Sequence, residues 1–449
     1  MDKRILLAAA VVAAVACGGE QAGPLGTLAV TLTQAPPDAL CLQLTVTGAT
    51  RSVTKGFDLS AGQATASLAL SGLPTGSVLL SGAAWNAACA AVTGASVATW
   101  VALARTVTVP GAATLVLQRN GQETVTVDFQ DDQVTVGTLS LNGAVPLSVP
   151  NGVVADNAGH LFVSDSNHAM IKQITLATGA VSVYSSDPLL DVPSGLALDA
   201  GGNLYVANTN GCNVLKIAPG GATSVFAGQA PAPYRACYGH SPNGPGFQFA
   251  GPIGLAIAGG NLYVTDFGAV TVTAAVDQIS LSTGAVSVVA GLYGSLVGFA
   301  DVDGPGSAAR FVAPGGITAD ASNLYLANDA TIRQISLATF NVTTLAGRSG
   351  ASTELDGFGG DARFASARGI VADGAGNLFI TDYQGPTVRR LWLPDAAVVT
   401  LAGTANLSGQ VDGPGATAQF HTPSLLSIDA AGTLYLPQVL DGSIRTVRR

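Results

Sequence analysis

The sequence predicts an all-β protein in which an N-terminal antiparallel β-sandwich, residues 26–130, precedes a ring of six four-stranded units, residues 131–449. The first observation behind this prediction is composition: Gly supplies 56 of the 449 residues, and only 10% of the residues are charged. Such a chain favours strands and tight turns over helices. The second observation is an internal repeat, because one strand–turn–strand pattern recurs six times after residue 133.

The first 17 residues have the pattern of an export signal. A basic start, Met1–Arg4, precedes an apolar run over residues 5–16 and small residues next to Cys17. The run is too short for a transmembrane helix, which needs ~20 residues. Cys17 resembles the lipidated cysteine of the lipobox in bacterial lipoproteins, which implies that a lipid anchors the mature chain there. The alternative is an ordinary signal peptide cut nearby.

The residues after the cysteine refine the expected location. Gly18 takes the place of the Asp that retains lipoproteins in the inner membrane of enteric bacteria, which favours the outer membrane. Residues 18–25 are rich in Gly and are expected to form a tether. The expected location is the bacterial cell envelope, on its periplasmic or surface side.

The formal net charge of −9 bears on the class of partner. An acidic surface repels phosphate backbones, so a nucleic-acid partner is not expected. The expected partners are the membrane, through the N-terminal lipid, and a protein, peptide or glycan ligand.

Four cysteines remain after Cys17, and they support export. In an oxidising compartment Cys41, Cys89, Cys212 and Cys237 allow more than one pairing. The simplest arrangement pairs neighbours within each region, Cys41 with Cys89 and Cys212 with Cys237.

Residues 26–130 contain short segments that alternate apolar and polar side chains, such as CLQLTVTG (41–48), separated by turn residues. This pattern is typical of half-buried antiparallel strands. It favours a sandwich of the immunoglobulin-like kind, with the Cys41–Cys89 bond linking its layers.

Each repeat after residue 133 has an apolar strand, a Gly/Asn/Asp turn and a second strand, and a third and fourth strand follow in most units. The six segments are NGVVADNAGHLFVSD (151–165), SGLALDAGGNLYVAN (194–208), IGLAIAGGNLYVTD (253–266), GGITADASNLYLAND (315–329), RGIVADGAGNLFITD (368–382) and SLLSIDAAGTLYLPQ (424–438). These units resemble NHL repeats, which are the four-stranded blades of a β-propeller. The resemblance implies a six-bladed propeller.

The sixth unit ends after three strands, at residue 449. The segment QVTVGTLSL (133–141) has the pattern of the outer strands, so we expect it to complete the sixth blade and close the ring. The alternative is that this segment is the last strand of the sandwich.

Three insertions share the pattern D-G-x-G-x-x-A-x-F, within residues 302–311, 355–364 and 411–420, and residues 242–252 are a looser version. In NHL proteins with such loops, the segment joins the outer strand of one blade to the inner strand of the next. The Gly and Asp residues suit turns. We expect Phe311, Phe364 and Phe420 to pack between blades.

In a propeller, the loops between second and third strands and those between successive blades emerge on one face, where a ligand site is expected. A disulfide between Cys212 and Cys237 would hold the unusual loop 229–252 there. The alternative role for Asp or Asn after a second strand is to end it by bonding the backbone. The candidate ligand-binding residues are Asp165, His168, Asn208, Tyr234, Arg235, Asp266, Asn328, Asp329, Asp382 and Tyr383.

Metal and cofactor chemistry have little support in the motifs. The four histidines form no HxH or HExxH pattern, and Asp301-Val302-Asp303-Gly304 resembles only the start of a calcium loop. No metal, cofactor or catalytic residue is therefore expected. Related propellers include peptidyl-hydroxyglycine lyases, streptogramin lyases and lactonases; Tyr383 and Arg235 match part of such a set, but the metal-binding histidines have no counterpart.

These observations predict a cell-envelope lipoprotein whose propeller binds or scaffolds a protein, peptide or glycan outside the cytoplasm, without catalysis. The alternative is a metal-assisted lyase or lactonase acting in the central channel. A third hypothesis is a structural protein whose ring only holds other parts apart.

Overall fold

The computed structural model describes residues 25–32, 40–48, 52–59, 66–74, 76–92, 100–109, 113–119, 123–130, 134–143, 146–229, 237, 247–268, 273–293, 300–393 and 396–448. The expected export signal and lipidation site at Cys17 lie outside the described residues. No helix in the described part is long and apolar enough to cross a bilayer.

Eight antiparallel strands form the N-terminal sheet, in the order β3-β2-β5-β6-β7-β8-β1-β4. Their bounds are β1 (Leu25–Leu32), β2 (Cys41–Thr47), β3 (Ser52–Asp58), β4 (Ala66–Pro74), β5 (Gly76–Trp85), β6 (Trp100–Val109), β7 (Ala113–Arg119) and β8 (Glu123–Gln130). Alternation in β2 buries Leu42, Leu44 and Val46 on one face, as its sequence pattern predicted.

The pairing of these strands differs from the two separate sheets of the immunoglobulin-like prediction. Residues 79–85 of β5 pair with β2 on one side, and residues 76–84 of the same strand pair with β6 on the other. A register shift between Leu80 and Gly82 lets this sheet continue through the irregularity. The Cys41–Cys89 disulfide then ties the end of β2 to the short 3-10 helix Cys89–Ala91, with a Cα–Cα distance of 4.8 Å.

The rest of the chain forms six sheets arranged as blades. The strands are β9 (Thr135–Thr138), β10 (Pro150–Ala155), β11 (His160–Asp165), β12 (Met170–Thr175), β13 (Ala180–Ser185), β14 (Pro193–Leu198), β15 (Leu204–Asn208), β16 (Asn213–Ile217), β17 (Thr223–Gly228), β18 (Pro252–Ala258), β19 (Asn261–Gly268), β20 (Thr273–Ser280), β21 (Val286–Leu292), β22 (Pro314–Ala319), β23 (Asn323–Asn328), β24 (Thr331–Ser336), β25 (Val342–Gly347), β26 (Gly357–Phe358), β27 (Ala367–Ala372), β28 (Asn377–Asp382), β29 (Thr387–Trp392), β30 (Ala397–Ala402), β31 (Gly413–Pro414), β32 (Ser427–Ile428), β33 (Leu434–Gln438) and β34 (Ser443–Arg448). Two further 3-10 helices span Ser166–His168 and Gly359–Asp361.

Blades 1 to 4 are the consecutive strand groups β10–β13, β14–β17, β18–β21 and β22–β25. Blade 5 is β27–β30 with the short edge strand β26, and blade 6 is β32–β34 with β9 and β31. Residues 135–138 of β9 pair with residues 445–448 of β34, so the start of the propeller supplies the outer strand of its last blade. The two ends of the ring are thereby joined without an open strand edge between them.

Apolar clusters fill the spaces between neighbouring blades. The cluster between blades 3 and 4 contains Tyr263, Phe311 and Leu324, for example. The cluster that closes the ring joins Tyr435 and Ile444 of blade 6 to residues of blade 1. Because each blade packs against both neighbours, the burial that stabilises one blade also holds the ring together.

Glycines on the innermost strands bring the blades close together at the axis. A Cβ on Gly195 would lie 2.2 Å from the carbonyl oxygen of Ile253, and a Cβ on Gly369 would lie 2.6 Å from that of Ser424. Such distances are too short for any side chain larger than hydrogen, so glycine is required there. The axial cavity that these strands enclose has a volume of about 40 Å³.

Candidate functional site

One face of the propeller carries the loops between second and third strands and the loops between successive blades; it is called the loop face below. Six side chains that end the second strands stand at this face, and each is completely buried. These latch residues are Asp165, Asn208, Asp266, Asn328, Asp382 and Gln438.

The latch residues accept hydrogen bonds from the loop that enters their own blade. The carboxylate of Asp382 accepts from the backbone N–H of Ala365 at 2.7 Å and of Ser366 at 2.8 Å. Asp266 accepts from Ala250 at 2.8 Å and Gly251 at 2.6 Å in the same way. These contacts are those of the strand-ending role, because the side-chain oxygens satisfy backbone donors that the sheet does not pair.

Blades 1, 2 and 4 use the same arrangement with small variations. Asp165 accepts from the backbone N–H of Ser148 at 3.0 Å, and its other oxygen lies 2.5 Å from Lys172 Nζ. The Asn208 oxygen accepts from Asp191 N–H at 2.7 Å. Asn328 Oδ1 accepts from the two N–H groups of residues 312 and 313, each at 3.1 Å.

Three of the sequence-predicted residues are more accessible on the loop face. The His168 ring is 36% exposed, and its Nδ1 lies 3.0 Å from Asp165 Oδ2. Asp329 and Tyr383 are partly exposed. Burial raises the pKa of Asp329, although a hydrogen bond to Ser366 opposes this, and the nearby Asp382 and Asp301 carboxylates raise it further. Unlike the latch residues, these three side chains are not completely buried.

Two predicted loop residues, Tyr234 and Arg235, lie outside the described residues. Cys237 is described, and it forms a disulfide with Cys212 with a Cα–Cα distance of 5.4 Å. This bond ties the loop after blade 2 to the turn between β15 and β16 on the loop face.

An arginine on the third strand holds each D-G-x-G insertion in place in blades 4 to 6. Arg333 Nη1 lies 2.9 Å from Asp301 and its Nη2 lies 2.6 Å from Asp303, so both acids of the calcium-like segment bind this guanidinium. The guanidinium also stands 5.3 Å from the ring centroid of buried Phe311. The expected packing of this Phe between blades is therefore combined with a cation–π contact.

Blades 5 and 6 repeat this arrangement. Arg389 lies 2.7 Å from Asp356 and stacks on Phe364, and Arg445 lies 2.8 Å from Asp412 and stacks on Phe420. We call each set of Arg, Asp and Phe an arginine clamp; the three clamps are Arg333–Asp303–Phe311, Arg389–Asp356–Phe364 and Arg445–Asp412–Phe420. In blades 5 and 6 the clamped insertion adds a short strand to the outer edge, which covers backbone groups that would otherwise be unpaired.

Blade 3 has a carboxylate where the clamps have arginine. Asp277 on β20 occupies the third-strand position, and the Tyr293 hydroxyl lies 2.5 Å from Asp277 Oδ2 and 2.8 Å from Asp266 Oδ2. Both carboxyl groups are completely buried, and Asp277 Oδ1 has no hydrogen-bond partner among the described residues. Burial raises the pKa of Asp266 to about 6, against the lowering effect of the Ala250 and Gly251 N–H groups.

Asp277 is affected more strongly than its neighbour. Burial, and then the charge of Asp266, raise the pKa of Asp277 well above its ordinary value. Two buried acids that share a tyrosine cannot both ionise cheaply, so this pair holds a proton near neutral pH.

Glu354, at the start of the blade 5 insertion, is another acid whose pKa is raised. It accepts a hydrogen bond from Thr387 Oγ1 at 2.5 Å. Burial raises its pKa to about 8, the Arg389 cation lowers it, and the Asp382 carboxylate raises it. Glu354 thus faces the latch residue Asp382. In blade 4 the same two positions hold Asp301 and Asn328, and the Asn328 amide donates to Asp301 at 2.7 Å, so neither side chain has to be protonated.

Sequence reasoning missed the clamp arginines, Asp277, Glu354 and an axial arginine, Arg368. The third-strand segments TIRQISL (331–337), TVRRLWL (387–393) and SIRTVRR (443–449) contain the signal for the clamps, since each carries Arg at the same position. The corresponding segment of blade 3, AVDQISL (275–281), has Asp at that position. Aligning these segments by position would have shown both features.

Within the described ranges, no group of three or more His, Cys, Asp or Glu side chains is arranged to hold a metal ion.

Comparisons with known proteins agree with this architecture. No family model matches the chain. Over 197 residues the chain is 29% identical to NHL repeat-containing protein 2 of Bos taurus, and the match covers 42% of this chain and 27% of that protein. The chain therefore spans about a quarter of the length of the curated relative that it matches.

Solved structures resemble much of the chain. An auxiliary nutrient binding protein from Bacteroides thetaiotaomicron has a TM-score of 0.51 at 15% identity, covering 95% of both chains. One from Bacteroides ovatus also scores 0.51, at 12% identity, covering 94% of this chain and 97% of its own. A structural genomics protein of unknown function from Bacteroides thetaiotaomicron scores 0.56 at 16% identity, covering 83% and 95%. The repeat similarity and the shared architecture support an NHL-type β-propeller; at this identity the structural likeness concerns the fold alone.

Proposed function

We propose that this protein is an exported, lipid-anchored binding protein of a bacterial cell envelope. Its propeller binds a protein, peptide or glycan on the loop face, without catalysis. The lipobox-like sequence at Cys17 supports the anchor, and the two disulfides fit an oxidising compartment.

The observation that carries the binding site is the closed axis. A cavity of about 40 Å³ accommodates only a few water molecules, since one water needs roughly 10–15 Å³ of this kind of volume. A ligand of ordinary size does not fit in this cavity, which favours a site on a face of the ring. The loop face holds the long insertions and the disulfide-linked loop, whereas the opposite face carries short turns such as residues 156–159.

The solved structures of two auxiliary nutrient binding proteins share this fold over nearly the whole chain and are compatible with the proposal. Those proteins are named for a binding role, and a binding role is compatible with the fold of this chain.

Arrays of glycans and peptides, probed with the mature full-length chain, test the binding proposal. We expect a retained ligand whose binding weakens at least fivefold in a His168→Ala, Tyr383→Ala double variant. Ser282 and Ser322 are exposed on the opposite face, so Ser282→Ala, Ser322→Ala is the matched control and should bind normally. Equal weakening by both double variants, or no retained ligand at all, would contradict a loop-face site.

Metabolic labelling with a fatty-acid analogue tests the anchor separately. Full-length protein expressed in a bacterium should incorporate the label and fractionate with membranes. Cys17→Ser should do neither. Labelling that persists in Cys17→Ser, or an unlabelled wild-type protein, would show that the address is wrong.

A further inference from the structure

Near the loop-face end of the axis, each blade contributes one residue, which lies in the innermost strand in blades 1 to 5 and just before it in blade 6. Each of these residues directly precedes the closely packed glycine of its strand, or Leu425 in blade 6. This axial ring consists of Asn151, Ser194, Ile253, Gly315, Arg368 and Ser424.

Close packing places the ring residues side by side. A Cβ on Gly254 would lie 2.6 Å from the carbonyl oxygen of Gly315, and a Cβ on Gly315 would lie 2.7 Å from that of Arg368. Ser424 Oγ lies 2.6 Å from Asn151 Oδ1, across the junction of blades 6 and 1. The ring is therefore continuous around the axis.

Arg368 is the one charged member of this ring. Its Nε is buried and has no hydrogen-bond partner, and its guanidinium makes no ion pair with any carboxylate in the described part of the chain. The clamp arginines Arg333, Arg389 and Arg445, in contrast, each bind an aspartate. A guanidinium that is partly buried without a counter-ion is costly, and an anion supplied by a ligand would offset that cost.

The ring residues on either side of Arg368, Gly315 and Ser424, carry no charge. Gly315 has no side chain, and its backbone packs directly against the Arg368 carbonyl oxygen. On the opposite side of the ring, in blade 2, Ser194 Oγ is buried without a hydrogen-bond partner among the described residues. Ser194 is only 2% exposed, so the partly exposed guanidinium is the accessible donor of the two.

The chemistry favours a carboxylate over a phosphate. A guanidinium binds a planar carboxylate through two parallel hydrogen bonds, and its single charge matches a monoanion. Asp329 and Asp382 stand nearby, since the Asp329 carbonyl accepts from Ala367 N–H and Asp382 accepts from Ser366 N–H. These two carboxylates disfavour a dianion at the same place.

We propose that the Arg368 guanidinium binds a carboxylate of the ligand at the loop-face mouth of the axis. This inference rests on the proposed binding function and specifies its ligand class. Two sources supply the same group, a uronic-acid glycan or an acidic peptide with a free C-terminus.

Titration calorimetry on the mature full-length protein tests the inference. The probes are oligogalacturonate, its methyl ester, an acidic hexapeptide, its fully amidated form, inorganic phosphate, and the array ligand. We expect one carboxylated probe to bind, and its esterified or amidated form to bind at least tenfold more weakly. The probe that binds identifies the source of the carboxylate.

Arg368→Gln should weaken the bound carboxylate probe at least tenfold, and Arg368→Lys should weaken it less. Arg348→Gln, at an exposed arginine, is the matched control and should bind like wild type. Unchanged thermal unfolding midpoints show that the variants are folded; a misfolded Arg368→Gln leaves the comparison of carboxylated with neutral probes as the test.

The outcomes separate the inference from the function. A neutral ligand that binds the loop face equally well to wild type and Arg368→Gln overturns the carboxylate site and leaves the binding function standing. Phosphate binding as tightly as carboxylate overturns the assigned anion class. Binding of no probe and no array ligand overturns both.

Discussion

Blades 4 to 6 and blade 3 solve the same packing problem with opposite charges. At the third-strand position, Arg333, Arg389 and Arg445 each combine an aspartate with a stacked phenylalanine. Blade 3 places Asp277 there, next to Asp266 and Tyr293. The comparison shows that a repeated fold tolerates a reversal of buried charge, but only if a proton replaces the missing cation.

The contrast also separates structural from ligand-binding groups. The clamp arginines donate hydrogen bonds to aspartates and to backbone carbonyls. The Val411 carbonyl, for example, accepts from Arg445 at 2.9 Å. Arg368 has no such partners among the described residues. An unpaired cation near the axis therefore stands out against three paired ones at the rim.

The largest expected effect comes from removing a clamp cation. Arg389→Met leaves Asp356 and two backbone carbonyls without their buried donor, so we expect a loss of about 3–5 kcal/mol in the free energy of unfolding. Denaturant unfolding measures this. Arg348→Met, at an exposed position, should change it by less than ~0.5 kcal/mol. A clamp variant as stable as its control would show that the clamps contribute no stability.

The acidic pair of blade 3 should give the next largest effect, with the opposite sign at high pH. The pKa of Asp266 is raised to about 6 and that of Asp277 well above its ordinary value. The contribution of this pair to the free energy of unfolding is therefore fully present below about pH 4. It is lost as the pH rises through 6 and beyond. Asp277→Asn removes this loss, so the variant should be about 1–3 kcal/mol more stable than wild type at pH 8.

Unfolding curves at pH 4 and pH 8 check this prediction, with exposed Asp361→Asn as the control. The control should leave the pH dependence of stability unchanged. If Asp277→Asn were less stable than wild type at pH 8, the carboxylate would be making a favourable interaction in its ionised form, and the reversed-charge account would be wrong.

Glu354 should produce the smallest effect of the three. Its pKa, raised to about 8, means that its contribution to stability is present below its ordinary pKa and is lost as the pH rises through 8. Glu354→Gln supplies an uncharged donor at every pH, so we expect a gain of about 1 kcal/mol at pH 9 and little change at pH 4. The measurement is the pH dependence of the free energy of unfolding.

The matched variant in blade 4 should behave in the opposite way. Asp301→Asn weakens an ion pair of 2.9 Å with Arg333, so it should destabilise the protein at both pH values. Two variants that shift stability in the same direction at pH 9 would contradict the assigned protonation of Glu354.

Much of the fold was predictable because its signals are local. Alternation in segments such as residues 41–48 and the repeated strand–turn–strand pattern report strand and blade directly. The pairing of β9 with β34 also follows from a strand missing at one end and present at the other. The continuous N-terminal sheet was not predictable, since it depends on which edges pair across β5, and a strand pattern does not contain that information.

The candidate site was less predictable for a physical reason. Asp165, Asn208, Asp266, Asn328 and Asp382 have the residue types of a ligand site, yet their buried oxygens are occupied by backbone N–H groups. Residue type alone does not show which hydrogen bonds are already made. Arg368 stands out only once the neighbouring Gly315 and the absence of a described counter-ion are known.

The most direct measurement is a structure of the mature protein in complex with the ligand selected by the binding assays. The ligand should lie on the loop face over the axis, with a carboxylate on the Arg368 guanidinium and no ligand atoms inside the axial cavity between the innermost strands. A ligand bound on the opposite face, or inserted along the axis through an opened ring, would contradict the account.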